Sequence, residues 1–306
     1  MADILSKGTL FPEELTSELI NNVKGKSSIA TLSAQQPIAF NGQREFTFTF
    51  DNEVDVVAEN GAKTKGGVTI NPVTIIPVKV EYGARISDEF LYANEKAQLE
   101  YLQAFSEGFG RKVARGLDLM SFHGINPRTG TASAVIGNNH FDNKVANIID
   151  TTASPDSDIE SAIEAIHNAE YDVSGLAIAP VFRSALAKEK DATGRKLYPD
   201  LAWGNAPGNI NGLTVTSNST VNHKNNADRA IIGDFQNCFK WGFAKEIPIE
   251  IIKYGNPDND PVLGDLKGHN QIYLRGEMYI GWGILVPEAF AIIRKADETA
   301  ALTTSK

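Results

Sequence analysis

The sequence predicts an α+β fold: a β-hairpin arm, a domain organised on one long helix, and an α/β domain. Three observations carry this. Strand-like alternation in "REFTFTF" and in "IIPVKVEYG" flanks a long polar segment. Residues from about Asn94 to Phe122 hold the strongest helical apolar repeat of the chain. From Asp156 onward, helical and strand patterns alternate.

Taken in order, residues 1–40 read as an extended arm with one helix. In "FPEELTSELINNV", Leu15, Leu19 and Val23 recur every four residues and Pro12 stands near the first turn. "SSIATLSAQQPIAF" is small, polar and non-periodic. "REFTFTF" puts Phe46, Phe48 and Phe50 on one face and Thr47 and Thr49 on the other, a strand with one buried side. Glu59 to Gly67 holds glycines and lysines and no large apolar residue, so the hairpin has a long polar tip. The strand after it directs Ile76, Val78, Val80 and Tyr82 one way. Pro77 removes a ladder donor and marks a sheet edge.

In the long helix, Leu102, Phe105, Phe109, Val113, Leu117 and Met120 form the apolar stripe. Gly108, Gly110 and Gly116 interrupt it at about 1 kcal/mol each, which calls for a closely packed neighbour, in the same chain or another. Thr129 to Thr152 is polar and reads as a loop with short strands. The next helix has Asp156 or Ser157 as its cap, with Ile159, Ile163 and Ile166 facing the core. "LAIAP" is a buried central strand, and Pro180 opens a helix as its first residue. "GLTVTSN", "RAIIGDF" and "EIPIEII" follow as strands, with a loop at "DATGRKLYPD" before them. "QIYLRGEMYIGWGIL" alternates for over a dozen residues, longer than an ordinary strand, and "PEAFAIIRKA" is the last one.

Composition narrows the function classes. At 306 residues, 42% hydrophobic and 22% charged, the chain has a sizeable core. Its net charge of −9 argues against a sheath that neutralises phosphates, leaving room for a local basic patch. A single cysteine, Cys238, excludes an intrachain disulfide and reads as packing. No signal pattern or membrane-length apolar run is present, so the expectation is a soluble protein made in a cytoplasm.

Catalytic motifs are missing. His123, His140, His167, His223 and His269 have no metal-ligand spacing. "GFGRKVARG" has Val113 where a dinucleotide fingerprint needs glycine, and it lies within a helix. "NPDNDPVLGD" resembles a calcium loop through Asp258 and Asp260, but its glycine comes one residue late and His269 replaces the closing glutamate. No catalytic, cofactor or metal residue is therefore assigned. The N-terminal arm, the hairpin, the glycine-bearing helix and the overlong strand cannot all bury both faces in one globule. They call for partners, first of all other copies of the chain.

Several segments, in order, resemble the major capsid protein family of tailed bacteriophages, which has the Hong Kong 97 phage capsid fold shared with encapsulins. "VVAENGAKTKGG" is similar to the family's extended-loop tip, and "VKVEYGARISDEFLYA" to the strand leaving it. "LQAFSEGFGRKVARGLDLMSFHGIN" resembles the spine helix. "SGLAIAPVFRSALAKEKDATGRKLYP", "NGLTVTSNSTV", "AIIGDFQNCFKWGFAKEIPIEI" and "MYIGWGILVPEAFAIIRK" resemble the axial-domain segments and closing strands.

The resemblance implies an N-terminal arm (1–40), an extended loop (41–82), a peripheral domain (83–148 and 245–281) and an axial domain (149–244 and 282–306). It implies pentamers and hexamers closing into an icosahedral shell around double-stranded DNA, with no enzymatic activity, cofactor or membrane. The implied setting is a virion capsid assembled in a bacterial cytoplasm. Implied partners are a portal protein, a maturation protease and a scaffolding protein that is separate or absent, since the chain begins at the arm. Glu59, Lys63 and Lys65 at the loop tip are expected to contact a neighbouring subunit. One branch of the family cross-links an extended-loop lysine to an asparagine. Lys63 and Lys65 lie near the donor position and Asn256 and Asn259 near the acceptor, with no motif matching the acceptor or the catalytic acid. The alternative readings are an encapsulin-type compartment and, more remotely, an enzyme with an interdomain cleft.

Overall fold

The structure is a computed structural model that describes residues 27–50 and 52–295. The helix predicted around Leu15, Leu19 and Val23 lies outside these residues.

The described chain begins with a helix the sequence reading did not contain, α1 (Ser28–Leu32). Ser27 caps it, its Oγ accepting from the Ala30 N–H at 3.1 Å. The chain then runs extended across the sheet below. Gln36 N–H donates to the Trp241 carbonyl at 2.9 Å, and Trp241 Nε1 donates to the Ser33 carbonyl at 2.9 Å. The crossing depends on Gly242, where any Cβ would collide with the Gln36 carbonyl.

Strands β1 (Gln43–Phe50) and β2 (Val68–Ile75) form an antiparallel two-stranded sheet of their own. Strand β3 (Val78–Ser87) follows directly. Helix α2 (Glu95–His123) is 29 residues long, or about 44 Å at 1.5 Å per residue. Asn94 caps its start, and Gly124, at φ 64, ends it in the left-handed conformation that glycine adopts without strain. The stretch read as a loop with short strands contains a helical turn, α3 (Phe141–Lys144), and one strand, β4 (Asn147–Asp150).

Helix α4 (Pro155–His167) starts earlier than the sequence reading placed it: Ser154, not Asp156 or Ser157, is the cap residue. Pro155 is preset for the first helical position. The Asp158 carboxylate turns back to accept the Thr152 N–H at 2.9 Å. Strand β5 (Gly175–Ile178) is buried throughout, and α5 (Pro180–Leu186) opens on its proline as predicted. The chain continues through β6 (Asn209–Ile210), β7 (Leu213–Ser217), β8 (Asp228–Gly233), β9 (Phe239–Ile252), β10 (Gln271–Ile284) and β11 (Phe290–Arg294).

These strands make a six-stranded mixed sheet in the order β4-β11-β8-β5-β7-β6, and a three-stranded antiparallel sheet, β3-β10-β9. "LAIAP" is thus central, and β3 is an edge strand as predicted, although Pro77 lies just before it, in the link from β2. Strand β9 begins at Phe239, several residues before "EIPIEII". Its pairing with β10 shifts register between Arg275/Glu250 and Glu277/Ile247, passing over Pro248, which has no N–H to give. Phe141 joins the elements: its ring lies 5.7 Å from Phe122, 5.5 Å from Phe239 and 5.1 Å from Phe290. Cys238 is buried beside them, and burial together with Asp234 pushes its thiol up to about 11, so it packs rather than reacts.

Candidate intersubunit surface

The overlong strand is not one of the unpartnered surfaces. Strand β10 lies between β3 and β9, and nearly all of it is buried by the chain itself. Phe109 of α2 packs over Gly276, while Ile38 and Ile75 pack over Gly281. The glycines in "GWG" let the arm and the hairpin root sit directly on the strand.

The hairpin is the surface left open. Its register pairs Phe46 with Pro72, Phe48 with Ile70 and Phe50 with Val68. Directly opposed residues share a face, so these six apolar side chains form one side of the ribbon. Thr47, Asn71 and their neighbours form the other. The sequence reading gave Phe46, Phe48 and Phe50 a buried side. Instead they are 55%, 61% and 75% exposed. The alternation is real, but among the described residues nothing covers this face of the two-stranded ribbon. Its root is firm: Ile75 is fully buried and Glu45 pairs with Lys240 at 2.6 Å.

Beyond β1 the chain makes a turn, with Gly61 N–H donating to the Ala58 carbonyl at 2.8 Å and Asn60 left-handed at φ 65. Glu59, Lys63 and Lys65 are all exposed on this tip. Among the described residues they have no ion-pair or hydrogen-bond partner. Val54 and Val56 beside them are almost wholly exposed. The helix glycines behave differently from one another. A methyl on Gly108 would meet nothing within 4 Å, whereas one on Gly116 would make ordinary contact with Pro127 at 3.4 Å, and Gly110 is buried. Packing within the chain does not demand glycine at 108.

The calcium-like loop is closed by a cation of the protein itself. Arg85 spans Asp258 at 2.5 Å, Asn256 at 2.7 Å and the Gly264 carbonyl at 2.9 Å. Asn256, one of the two candidate cross-link acceptors, is thereby engaged within its own subunit.

Long-range folding assembles a cluster invisible in the histidine spacing. His123 Nδ1 lies 2.7 Å from Asp142 and 3.6 Å from Asp228, and its Nε2 lies 2.9 Å from the Thr220 carbonyl. These three side chains are of metal-binding type and mutually close. Arg294 already occupies the cationic position, its Nε 2.6 Å from Asp228 and its Nη2 3.1 Å from Asp142. With an acceptor oxygen facing each ring nitrogen, the site favours the doubly donating imidazolium form of His123. Burial works to lower its pKa, but Asp142, the Thr220 carbonyl and Asp228 outweigh this and hold it above 6.5. Burial works to raise that of Asp142, and His123 and Arg294 hold it below 3.8. Burial, followed by the charge of Asp142, raises that of Asp228.

The sign follows from these directions. His123 stabilises fully below about pH 6.5 and loses that contribution as pH rises through its raised value. Asp142 contributes above about pH 3.8 and fails only in stronger acid, and the raised Asp228 favours the acidic side. Melting temperature is therefore expected to fall as pH rises above about 6.5 in the native protein, with a shallower fall in His123→Gln. Parallel curves for the two proteins would refute it.

An arm crossing the sheet and a rooted hairpin whose apolar face no other described residue covers are the features of a shell-forming subunit. The chain belongs to the phage capsid family, whose model matches residues 7–295. It is a major capsid protein with the Hong Kong 97 phage capsid fold, self-assembles into shells, and has its place in the virion capsid. A solved structure from Mycobacterium phage Ogopogo is 33% identical, covers 89% of this chain and 92% of its own, and has a TM-score of 0.75. One from Gordonia phage Cozz is 24% identical over 89% and 87%, with a TM-score of 0.74. The capsid of an empty GTA particle shares the fold at 15% identity, 89% and 90% coverage and a TM-score of 0.63. No curated protein matches the chain.

Proposed function

We propose that the subunit forms pentamers and hexamers that close into an icosahedral shell around double-stranded DNA, without catalysing a reaction. The exposed apolar face of the hairpin carries this reading. A row from Phe46 to Pro72 that no other described residue covers marks a contact surface for a partner. In this reading the hairpin lies across a neighbouring subunit and its tip charges meet that neighbour. The α2 and β3-β10-β9 region is the peripheral domain, and the six-stranded sheet with α4 and α5 is the axial domain. Gly108 leaves room on α2 for another copy. Portal protein, a separate scaffolding protein and a maturation protease are the expected partners, with assembly in the bacterial cytoplasm. Relatives from phages and a GTA capsid support a viral shell over a compartment for a cargo enzyme.

Negative-stain microscopy of the purified protein tests this directly. Closed shells or capsomer rings are expected. Only monomers or dimers at every salt concentration would sink it. At the tip, Glu59→Lys or Lys63→Glu is expected to lower shell yield while leaving the subunit's melting curve in place. Normal shells from both variants would remove these charges from the interface.

A further inference from the structure

"GFGRKVARG" is no dinucleotide fingerprint, yet it contributes three exposed cations to the C-terminal half of α2: Arg111, Lys112 and Arg115. At 3.6 residues per turn they lie within about 100° of one another, on one side of the helix. Two loops extend the patch. Pro127 packs beside Gly116 and brings Arg128 with it, and Arg115 Nη1 reaches Ser219 at 3.3 Å. Lys224 stretches its ammonium over Gly130 and joins the two loops. It does so from a left-handed backbone at φ 52, which is uncommon for a residue with a side chain.

The three segments, 108–116, 124–132 and 218–227, contain no aspartate or glutamate. Close by, Glu107 pairs loosely with Arg111 at 3.6 Å, while Asp118 and Asp228 are buried and turned to partners of their own. In a chain of net charge −9, such a patch is a marked separation of charge.

We propose that this surface binds the phosphate backbone of duplex DNA and so marks the side of the subunit that faces the shell interior. This rests on the reading of the shell as a DNA container. Arg111 and Arg115 are separated by a rise of about 6 Å, close to two phosphate steps of about 3.4 Å along one strand. The described residues of the patch bring cations and no aromatic ring of their own, so the contact proposed is to phosphate, independent of sequence. Five contacts per copy on an acidic protein give a grip that salt readily loosens.

The test is fluorescence anisotropy of a short labelled DNA duplex against the purified full-length protein over a salt series. Affinity is expected to fall roughly 500-fold between about 50 and about 200 mM salt, as about five phosphate contacts require. The variant Arg111→Gln, Lys112→Gln, Arg128→Gln, Lys224→Gln is expected to lose most of the binding and flatten the salt slope to about −1. Arg111→Lys, Arg128→Lys, Lys224→Arg is expected to keep both, which separates charge loss from misfolding. Lys63→Gln, Lys65→Gln at the hairpin tip is expected to bind like the native protein. Unchanged binding by the glutamine variant, equal loss in the tip variant, or equal affinity for a polyglutamate of matched charge would overturn the proposal. So would a native protein that ignores DNA while the glutamine variant fails to assemble, since the patch would then face a second copy. Shell formation by the native protein, seen by microscopy, reports on the capsid reading separately.

Discussion

Ile70→Asp is expected to abolish shell assembly, and Asn71→Asp, one residue along, is expected to permit it. The two substitutions place a carboxylate on the same strand at almost the same distance from the body. They differ only in which face of the ribbon receives it. Ile70 stands opposite Phe48 in the apolar row, and Asn71 stands opposite Thr47 on the polar side. Burying a Phe, Ile or Val side chain contributes about 1.5–3 kcal/mol relative to leaving it in water. A charge forced into that contact reverses the gain and adds the cost of desolvation. The effect is repeated at every copy, so a loss of a few kcal/mol per contact removes the shell rather than thinning it. Both variants should fold, because Ile70 is already 52% exposed in the isolated subunit and such surface changes shift stability by no more than about 0.5 kcal/mol. Sedimentation and negative-stain microscopy read assembly, and a melting curve reads the fold. Shells from Ile70→Asp, or an equal defect in the two variants, would mean that the apolar face is not the contact.

That face shows how far the sequence could be read. Alternation in "REFTFTF" is local chemistry and survives into β1 unchanged. What the alternation meant was not local. A strand half-buried in its own domain and a strand half-buried in a neighbour have the same pattern, so Phe46, Phe48 and Phe50 were legible as a face but not as an exposed one. The reverse happened in "QIYLRGEMYIGWGIL". Its length suggested surplus surface, yet β10 is covered on both sides because Gly276, Gly281 and Gly283 let α2, the arm and the hairpin root approach closely. Periodicity made the long helix readable almost to the residue: it was placed from about Asn94 to Phe122 and α2 runs from Glu95 to His123, and α5 opens on its proline.

Polar groups acting over long sequence distances were not. His123 finds Asp142, Asp228 and Arg294 through the fold, and no spacing announces it. Helix α1 was read as non-periodic arm because five residues show no period, and part of what caps it stands 90 residues away. A faint signal existed in "GLDLMSF", an acid amid an otherwise apolar turn of the long helix. A buried acid on an apolar stripe is rare without partners, and the partners are what a sequence does not display.

Those partners make Asp118 the largest single stability determinant expected in the chain. Its carboxylate is fully buried and accepts five hydrogen bonds. Ser27 Oγ donates at 2.5 Å, the Ser28 and Ile29 N–H groups at 3.0 and 3.2 Å, Asn218 Nδ2 at 3.1 Å and Thr220 Oγ1 at 2.8 Å. Burial pushes its pKa above 3.8, with the donors from Ser27, Ser28, Thr220 and Ile29 pulling the other way. All five contacts are donors, so the geometry is built for the ionised form. One side chain of α2 thus holds the first turn of α1 and the loop that carries Asn218 and Thr220. Asp118→Ala would take the acceptor away from the buried donors of Ser27, Ser28, Ile29 and Thr220. Each buried donor left unsatisfied costs about 1–3 kcal/mol, so the loss is at least about 3 kcal/mol in all. In a chain of this size that is a fall in melting temperature of roughly 5 °C or more. The segment from Ser27 to Ile38 is expected to become more sensitive to limited proteolysis, because it then rests on the apolar contacts of Ile29, Leu32 and Ile38 and on the crossing over Gly242. A melting temperature within about 2 °C of native, with α1 still protected, would show that Asp118 is an incidental burial and not the anchor of the arm.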